Sequence, residues 1–301
     1  MRITITGATG FVGTNLQKYL NDSFSIIPLN IRYFLNQQFS LDSDAVIHLA
    51  GKAHDLKKVS NATEYYEANF ELTKQLFDSF LNSEVSIFIF MSTVKAVADK
   101  VDDVLTEESI SNPKTHYGIA KQQAEKYILS KELPDGKKVY ILRPCMIHGP
   151  GNKGNLNLLY QLVYKGLPWP LGDFDNKRSF LSIENLCFVI YELLQNPSIP
   201  SGIYQVADDQ PLSTNKLIEI LGVTIKRKPK IWKINSKVIK SIAKLGDHIN
   251  LPLNSERLQK LTESYVVSNK KIVTALGKSL PVSSEKGLKN TFKSFRNKIV
   301  G

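Results

Sequence analysis

A tyrosine and a lysine four residues apart are the side chains of this sequence best suited to acid–base chemistry. Tyr117 and Lys121 lie in a run of good helix formers, residues 116–125, that follows Pro113. Residues four apart share one face of a helix. A phenol ordinarily loses its proton near a pKa of about 10, and a neighbouring ammonium stabilises the phenolate. The spacing therefore predicts a lowered Tyr117 pKa and proton transfer near neutral pH.

Two hydroxyls follow the apolar run at residues 87–91. Ser92 and Thr93 stand at the carboxyl end of this predicted strand, which is the end where parallel sheets keep their active sites. Thr93 is a candidate hydrogen-bond donor to a reacting oxygen. An ordinary strand-end hydroxyl is the alternative.

A glycine-spaced turn opens the chain. Gly7, Gly10 and Gly13 follow an apolar run at residues 3–6 and lead into a helical segment at residues 15–20. Such a turn lets the backbone approach a pyrophosphate, whose charge sits on the free amides at the helix start. The context predicts a dinucleotide site, although a turn that uses glycine only for its geometry is the alternative.

Strand-like and helix-like segments alternate through the first half of the chain, which predicts a parallel sheet covered by helices on both faces. The strand-like runs are residues 3–6, 25–29, 45–49, 87–91 and 139–142. The segment 30–44 is too short to hold a full strand, a helix and their connections. Glycine and proline crowd the region after Pro144, as in loops that hold a ligand.

The order of these pieces resembles the extended short-chain dehydrogenase/reductase family, specifically its nucleotide-sugar epimerases, dehydratases and 4-keto reductases. The matching segments are the glycine turn, His-Leu-Ala-Gly at 48–51, Asn69, Thr93 with Tyr117 and Lys121, Arg143-Pro144, and Gly149-Pro150-Gly151 with Asn155. The resemblance implies an α/β fold, a Rossmann-type doubly wound parallel sheet with a smaller, discontinuous C-terminal substrate domain. Residues 1–150 and 178–210 are expected to form the cofactor domain, and residues 151–177 and 211–301 the nucleotide-sugar domain.

The resemblance also implies roles for single residues. Thr93, Tyr117 and Lys121 would be catalytic, and Thr93, Lys95, Asn155 and Arg178 would contact substrate. Predicted cofactor contacts are Gly7, Thr9, Gly10, Phe11, Val12, Gly13, Asn30, Arg32, Leu49, Ala50, Gly51, Asn69, Ser92, Tyr117, Lys121 and Pro144.

The cofactor is expected to be NAD or NADP. Many relatives close the second strand with an acidic residue that binds the adenosine ribose, but this chain has Asn30, with Arg32 two residues later. An arginine there could pair with a 2′-phosphate, stack on adenine or point to solvent. Neither cofactor is favoured.

The residues after Thr93 narrow the predicted reaction. The family's 4,6-dehydratases have Asp-Glu there, where this chain has Val94 and Lys95. We therefore expect an epimerase or reductase that acts at C4 of a UDP-hexose or UDP-N-acetylhexosamine, similar to a bacterial surface-polysaccharide branch. A non-catalytic dinucleotide-sensing or interaction protein of the same fold is the alternative.

Composition limits the other functional classes. The two cysteines each lie in an apolar run, and the five histidines show no metal spacing, so neither sulfur redox chemistry nor a metal is expected. With no long apolar span and no signal-peptide pattern, a cytoplasmic location is predicted. A homodimer is an open possibility.

The net charge of +11 belongs to the tail, where residues 226–301 hold 18 Lys and Arg against 4 Asp and Glu. The tail lacks interleaved aromatic residues, so no nucleic-acid partner is expected. In residues 234–245, apolar residues recur at helical spacing beside lysines. Packing of this helix on the protein is the favoured interpretation, and attachment to an anionic membrane surface is the alternative.

Overall fold

The structure, a computed structural model, describes residues 1–53, 61–152, 156–249 and 254–296. Its strands are β1 (Arg2–Thr6), β2 (Ser25–Leu29), β3 (Ala45–His48), β4 (Ile87–Met91), β5 (Val104–Leu105), β6 (Lys138–Pro144), β7 (Met146–His148), β8 (Phe180–Ser182), β9 (Gly202–Val206) and β10 (Val266–Val267). Six of them form one parallel sheet in the order β2-β1-β3-β4-β6-β9. Two short parallel pairs, β5 with β10 and β7 with β8, stand apart from this sheet.

Burial explains the composition of the sheet. All five residues of β4, Ile-Phe-Ile-Phe-Met, are buried, because a strand inside a parallel sheet is covered on both faces. Strand β2 lies at the edge and is more exposed, so it accommodates Pro28, which has no amide hydrogen for a second neighbour. Residues 30–44 contain no helix or strand, which confirms the predicted short connection.

Helices cover both faces of the sheet and continue beyond it. They are α1 (Phe11–Leu20), α2 (Ala62–Tyr66), α3 (Leu72–Leu81), α4 (His116–Leu129), α5 (Leu156–Tyr164), α6 (Ile183–Gln195), α7 (Thr214–Ile225), α8 (Ser236–Ile249), α9 (Ser255–Thr262), α10 (Lys270–Leu276) and α11 (Ser284–Arg296). A π-helical turn at Glu67–Glu71 joins α2 to α3. None of the helices in the described ranges is long and apolar enough to cross a membrane.

Three hydrophobic clusters hold these layers together. One packs α1, α6 and α10 on one face of the sheet, and a second packs α3 and α4 on the other face. The third lies among α5, α7, α8, α9 and α11, away from the sheet. This arrangement is the predicted Rossmann-type fold with an additional C-terminal part. The exact division into two domains stays a proposal, since α10 belongs to the predicted sugar domain by number but packs on the sheet.

Candidate active site

The predicted chemical residues meet in one cavity of about 450 Å³ at the carboxyl ends of the central strands. Its lining includes Val12, Leu49, Gly51, Asn69, Ser92, Thr93, Lys95, Tyr117, Lys121, Pro144 and Arg178. A larger polar cavity of about 970 Å³ is lined by Arg2 and Asp44 at the amino ends of the strands. Parallel sheets do not keep active sites at that end, and the larger cavity contains none of the predicted site residues. The smaller cavity is therefore the candidate site.

Helix α4 presents the acid–base pair to this cavity. It begins after Thr115, whose hydroxyl accepts a hydrogen bond from the Gly118 amide at 3.2 Å. Gly118 allows the helix to approach the Lys95 segment, because a Cβ there would lie 2.4 Å from the Lys95 carbonyl oxygen. This contact fixes the first turn of α4 against the segment that follows β4. Tyr117 and Thr93 are thereby brought together.

The phenol of Tyr117 is hydrogen-bonded to the Thr93 side chain. Burial raises the pKa of Tyr117 to about 12, and the Thr93 hydrogen bond opposes that rise. The prediction of a lowered Tyr117 pKa is therefore wrong for the protein without ligands. The physical reason is that desolvation outweighs any attraction from Lys121, so that the phenol keeps its proton at neutral pH.

Lys121 lies one helical turn further along α4 and is almost completely buried. Its ammonium donates to the Met91 carbonyl oxygen at 2.8 Å and lies 4.6 Å from the centre of the Phe90 ring. Burial lowers the pKa of Lys121 to about 7, and the carboxylate of Glu125 opposes this shift. The charge of Lys121 thus changes near neutral pH.

A buried ion pair supports this arrangement from behind. Glu125 accepts hydrogen bonds from Arg143 on β6, with Nη2 to Oε2 at 2.6 Å and Nε to Oε1 at 3.0 Å, and it also accepts one from the Ser92 hydroxyl. Both partners of the pair are almost fully buried. Sequence reasoning did not assign a role to Glu125. Its position four residues after Lys121 on the same helix face is the signal that could have identified it.

The glycine turn has the geometry that a dinucleotide requires. Gly7 has φ +66, and a Cβ there would lie 2.8 Å from the Ala50 amide nitrogen. Around Gly10, in contrast, a Cβ would meet only the Gly7 carbonyl oxygen, at 3.2 Å. No side chain caps the first turn of α1. Its amides therefore face an open cradle, which fits a pyrophosphate and supports assignment of this turn to a nicotinamide dinucleotide.

A buried histidine braces the opposite wall of this cradle. His48 contacts the Thr6 hydroxyl at 2.7 Å through Nδ1 and the Thr73 hydroxyl at 3.0 Å through Nε2. Complete burial lowers the pKa of His48 to about 3, so the ring is neutral. The Thr6 hydroxyl in turn accepts the amides of Leu49 and Ala50 at 3.1 Å. This network holds the end of β3 beside the glycine turn.

The π-helical turn places Asn69 beside Lys121. The side-chain amide nitrogen of Asn69 donates to the carbonyl oxygens of Lys52 and Tyr65, both at 3.0 Å. A Cβ on Gly51 would lie 2.6 Å from Asn69 Oδ1 and 3.3 Å from Lys121 Nζ. Only a glycine allows these three groups to meet at the cavity.

Basic side chains occupy the far end of the cavity. Lys95 donates to the Asp99 carbonyl oxygen at 2.8 Å and lies 4.4 Å from the centre of the Tyr265 ring. Arg178 donates to the Lys260 carbonyl oxygen at 3.0 Å and pairs with Glu263 at 3.5 Å. Burial lowers the pKa of both groups. The Glu263 carboxylate acts on both cations from outside the described lining of the cavity, where the charged side chains are Lys95, Lys121 and Arg178.

Some predicted residues lie outside the cavity. Gly7, Gly10, Gly13 and Ala50 build the cradle beside it. Thr9 belongs to the exposed part of the same turn. Phe11 packs near Gly149 and Gly151. Asn30 and Arg32 are exposed just beyond β2. Asn155 lies outside the described residues.

Sequence reasoning missed Tyr265, which forms one wall of the cavity. Its hydroxyl donates to the Ala98 carbonyl oxygen at 2.7 Å and so holds the segment that carries Lys95. No local pattern marks this residue, because it reaches the site from the far C-terminal part of the chain. No group of three His, Cys, Asp or Glu suited to a metal occurs within the described ranges.

Comparison with known proteins agrees with this geometry. The model of the NAD dependent epimerase/dehydratase family matches residues 3–207. UDP-glucose 4-epimerase of Vibrio cholerae is 30% identical over 97% of this chain and 95% of the relative. GDP-6-deoxy-D-mannose reductase of Pseudomonas aeruginosa is 28% identical over 73% of this chain and 79% of the relative. A third relative is N-acetyl-alpha-D-glucosaminyl-diphospho-ditrans,octacis-undecaprenol 4-epimerase of Escherichia coli O157:H7. It is 27% identical over 75% of this chain and 73% of the relative.

Solved structures show the same fold. RMD from Pseudomonas aeruginosa, complexed with NADPH, aligns with a TM-score of 0.75 at 21% identity and covers 98% of this chain and 99% of its own. UDP-glucuronic acid 4-epimerase from Bacillus cereus, in complex with NAD, aligns with a TM-score of 0.74 at 19% identity and covers 99% of both chains. The predicted fold, family resemblance and nicotinamide cofactor class are confirmed. The chain belongs to the NAD-dependent epimerase/dehydratase family, among whose members are sugar epimerases and reductases.

Proposed function

We propose that the protein transfers hydride at C4 of a UDP-linked hexose or N-acetylhexosamine, acting as a 4-epimerase or 4-keto reductase in surface-polysaccharide synthesis. The meeting of Thr93, Tyr117 and Lys121 in one cavity beside the open glycine turn is the observation that carries this proposal. The similarity to UDP-glucose 4-epimerase along nearly the whole chain supports it.

The proposed chemistry assigns proton transfer to Tyr117. The bound nicotinamide supplies the hydride donor and acceptor. Tyr117 moves the proton at the sugar O4, and Thr93 hydrogen-bonds the same oxygen. Both side chains line the same cavity, and Thr93 acts on the Tyr117 phenol. In this proposal Lys121, whose ammonium donates to the Met91 carbonyl oxygen, holds the nicotinamide ribose.

Arg178 is the proposed contact for the substrate diphosphate. A guanidinium presents a planar fork that suits phosphate oxygens. We expect Arg178→Ala to raise KM for a UDP-sugar about tenfold or more, with little change in cofactor affinity. The neighbouring Lys177, which is exposed, provides a matched control in Lys177→Ala. Equal KM values for both variants would show that Arg178 does not contact the substrate.

Lys95 distinguishes the proposed reaction from dehydration. Its ammonium, between the Asp99 carbonyl oxygen and the Tyr265 ring, stands where a dehydratase of this family has a carboxylic acid. A lysine held in this way is a poor replacement for a carboxylic acid as a proton donor to a departing hydroxyl. A 4-epimerase or 4-keto reductase is therefore favoured over a 4,6-dehydratase.

Cofactor balance separates the two favoured activities. The protein would be incubated with UDP-glucose, UDP-N-acetylglucosamine and a UDP-4-keto-6-deoxy sugar, while the absorbance of the reduced nicotinamide and the products are followed. An epimerase yields the C4 epimer without net change in the cofactor, whereas a reductase consumes one reduced cofactor per turnover. No turnover of any substrate, despite cofactor binding, would favour the non-catalytic alternative.

The group that carries the sugar, a nucleotide or a lipid, is a separate question. The same panel of substrates addresses it. The Escherichia coli relative is named for a sugar joined through a diphosphate to undecaprenol. Arg178 could contact the diphosphate of either kind of carrier. A polyprenyl-diphosphate N-acetylglucosamine therefore belongs in the panel, and turnover of this substrate alone would overturn the assignment to UDP-sugars.

A further inference from the structure

Helix α8 has two apolar faces, and only one of them is packed. Ile239 and Ala243 are 4% and 1% exposed and lie in the C-terminal hydrophobic cluster with Leu258 of α9. Val238, Ile242 and Leu245 are 51%, 43% and 55% exposed. Their spacing of four and three residues places them on one side of the helix. The aliphatic stripe of Val238, Ile242 and Leu245 is therefore open to its surroundings.

The surroundings of this stripe are basic. Residues 226–246 contain eight Lys and Arg and no Asp or Glu. On α8 itself, Lys237, Lys240 and Lys244 are exposed. They lie on a third side of the helix, where Lys240 and Lys244 border a cavity that is also lined by Ser255 and Gln259 of α9. The helix thus combines exposed hydrocarbon with a broad positive charge.

Acidic groups stand at the edges of this surface, and Asp175 and Glu219 line a cavity together with Lys233. Asp173 accepts the Ser236 amide at 2.8 Å at the start of α8. Asp247, close to the end of α8, accepts the Ser255 amide at 2.8 Å and the Ser255 hydroxyl at 2.6 Å. Glu256 on α9 pairs with Lys260. These carboxylates cap or pair with local groups at the ends of α8 and on its neighbour.

We propose that α8 is a membrane-docking helix that lies on an anionic lipid bilayer. The stripe of Val238, Ile242 and Leu245 would enter the boundary between headgroups and acyl chains, while the three lysines contact lipid phosphates. A bilayer supplies apolar and negatively charged partners over an extended plane. The spread of basic residues along 226–246 matches such a plane better than it matches a single acidic side chain on a protein partner.

The docking surface is close to the substrate end of the candidate site. Helix α9 packs against α8, and the Lys260 carbonyl oxygen on α9 accepts Arg178 Nη1 at 3.0 Å. A membrane bound at α8 would lie one helix away from the arginine at the cavity. The docking itself does not depend on the proposed reaction.

Co-sedimentation of the purified full chain with vesicles tests the proposal. We expect binding at low salt to vesicles of phosphatidylglycerol and phosphatidylcholine, weaker binding at high salt, and no binding to phosphatidylcholine alone. Loss of each lysine near an anionic surface weakens binding about fivefold, so Lys237→Glu with Lys240→Glu and Lys244→Glu should reduce partitioning about a hundredfold or more. A charge-matched control, Lys100→Glu with Lys126→Glu and Lys131→Glu, should retain binding.

The apolar stripe is tested separately. Ile242→Ser should weaken vesicle binding about tenfold. Leu129→Ser, at a 55% exposed position on α4, is the matched control and should bind normally. Because both positions are solvent-exposed, the fold should be retained, and thermal unfolding would verify this. If the triple lysine variant does not fold, vesicle binding by Ile242→Ser tests the proposal.

Three results would overturn the proposal. Wild-type protein that stays in the supernatant with phosphatidylglycerol vesicles at low salt would exclude docking. Equal binding by the α8 variants and the controls would exclude this helix as the docking surface. A dimer of the wild-type protein that Ile242→Ser converts to a monomer would assign the stripe to an interface between two copies.

Discussion

At the residue scale, burial controls the protonation of the side chains that meet in the candidate site. Tyr117 and Lys121 share one face of α4 as their spacing requires, and Thr93 meets them from the end of β4. The direction of the Tyr117 pKa shift was not predictable, because burial depends on how the whole cavity closes over the phenol. Tyr265 was not predictable either, since only the folded chain brings it to Lys95.

Replacing the proposed acid–base group tests its role. Tyr117→Phe removes the hydroxyl but keeps the ring, so we expect catalytic turnover to fall about a hundredfold or more while cofactor affinity changes little. Tyr127→Phe is a matched control on the same helix that loses only a hydrogen bond to Asp78. Turnover and cofactor affinity would be measured for both variants. Unchanged turnover in Tyr117→Phe would favour the non-catalytic alternative.

Burial of Lys121 predicts a pH dependence of folding stability. The pKa of Lys121 is about 7 in the folded protein and near its ordinary value of 10.5 when the chain is unfolded. Between these values the unfolded chain binds more protons, so this group adds stability as pH rises from about 7 to about 10. Lys121→Met should therefore stabilise the ligand-free protein most below about pH 7, by a few kcal/mol.

Denaturant unfolding of wild type and Lys121→Met at several pH values provides the measurement. The difference between their free energies of unfolding should shrink as the pH rises above neutrality. A difference that is constant with pH would show that Lys121 keeps an ordinary pKa in the folded protein.

At the element scale, the first βαβ segments follow closely from local sequence. The five predicted strands occur within two residues of their predicted bounds, because a buried parallel strand reads as a continuous apolar run. Strand β9 was not predicted. The outward position of Val238, Ile242 and Leu245 on α8 belongs to the alternative interpretation of the sequence, since periodicity alone cannot distinguish which apolar residues meet the core.

The glycine turn makes a prediction about one element. In Gly10→Ala the added methyl has room in the ligand-free protein, apart from the Gly7 carbonyl oxygen at 3.2 Å, so the free energy of unfolding should change little. The methyl occupies the open cradle, so affinity for NAD and NADP should fall about tenfold or more.

Gly13→Ala is the contrasting variant. A Cβ at Gly13 would lie 2.4 Å from the Gly7 carbonyl oxygen, so this change should destabilise the fold itself. Calorimetry for cofactor binding and thermal unfolding distinguish the two effects. Normal cofactor affinity in Gly10→Ala would contradict the assignment of the cradle.

At the scale of the whole molecule, the candidate site lies where the parallel sheet meets the C-terminal part of the chain. The end of β4 and helix α4 supply Thr93, Tyr117 and Lys121, and the C-terminal part supplies Tyr265. Thr93, Tyr117 and Lys121 were predictable because an apolar strand run precedes Thr93 and helical spacing relates Tyr117 to Lys121. The contribution of Tyr265 required the packing of distant segments, which composition and periodicity do not encode.

Cofactor binding should stabilise the entire molecule. A ligand at about a hundred times its Kd adds about 2.7 kcal/mol to the free energy of unfolding, which raises Tm by several degrees. Arg32→Ala should reduce the Tm increase caused by NADP more than that caused by NAD, if Arg32 contacts the 2′-phosphate. Thermal unfolding with each cofactor provides the comparison. Equal effects of the variant on both cofactors would place Arg32 outside the phosphate site.

Transfer of deuterium to the sugar tests the central claim most directly. A UDP-4-keto-6-deoxy-N-acetylhexosamine would be incubated with NADH or NADPH that carries deuterium at the transferable position, and the product examined by NMR. We predict deuterium at C4 of the sugar with wild-type protein and a rate about a hundredfold or more lower with Tyr117→Phe. A product without deuterium at C4, an equal rate with Tyr117→Phe, or neither reduction of this sugar nor epimerisation of UDP-glucose or UDP-N-acetylglucosamine would contradict hydride transfer at C4 in this site.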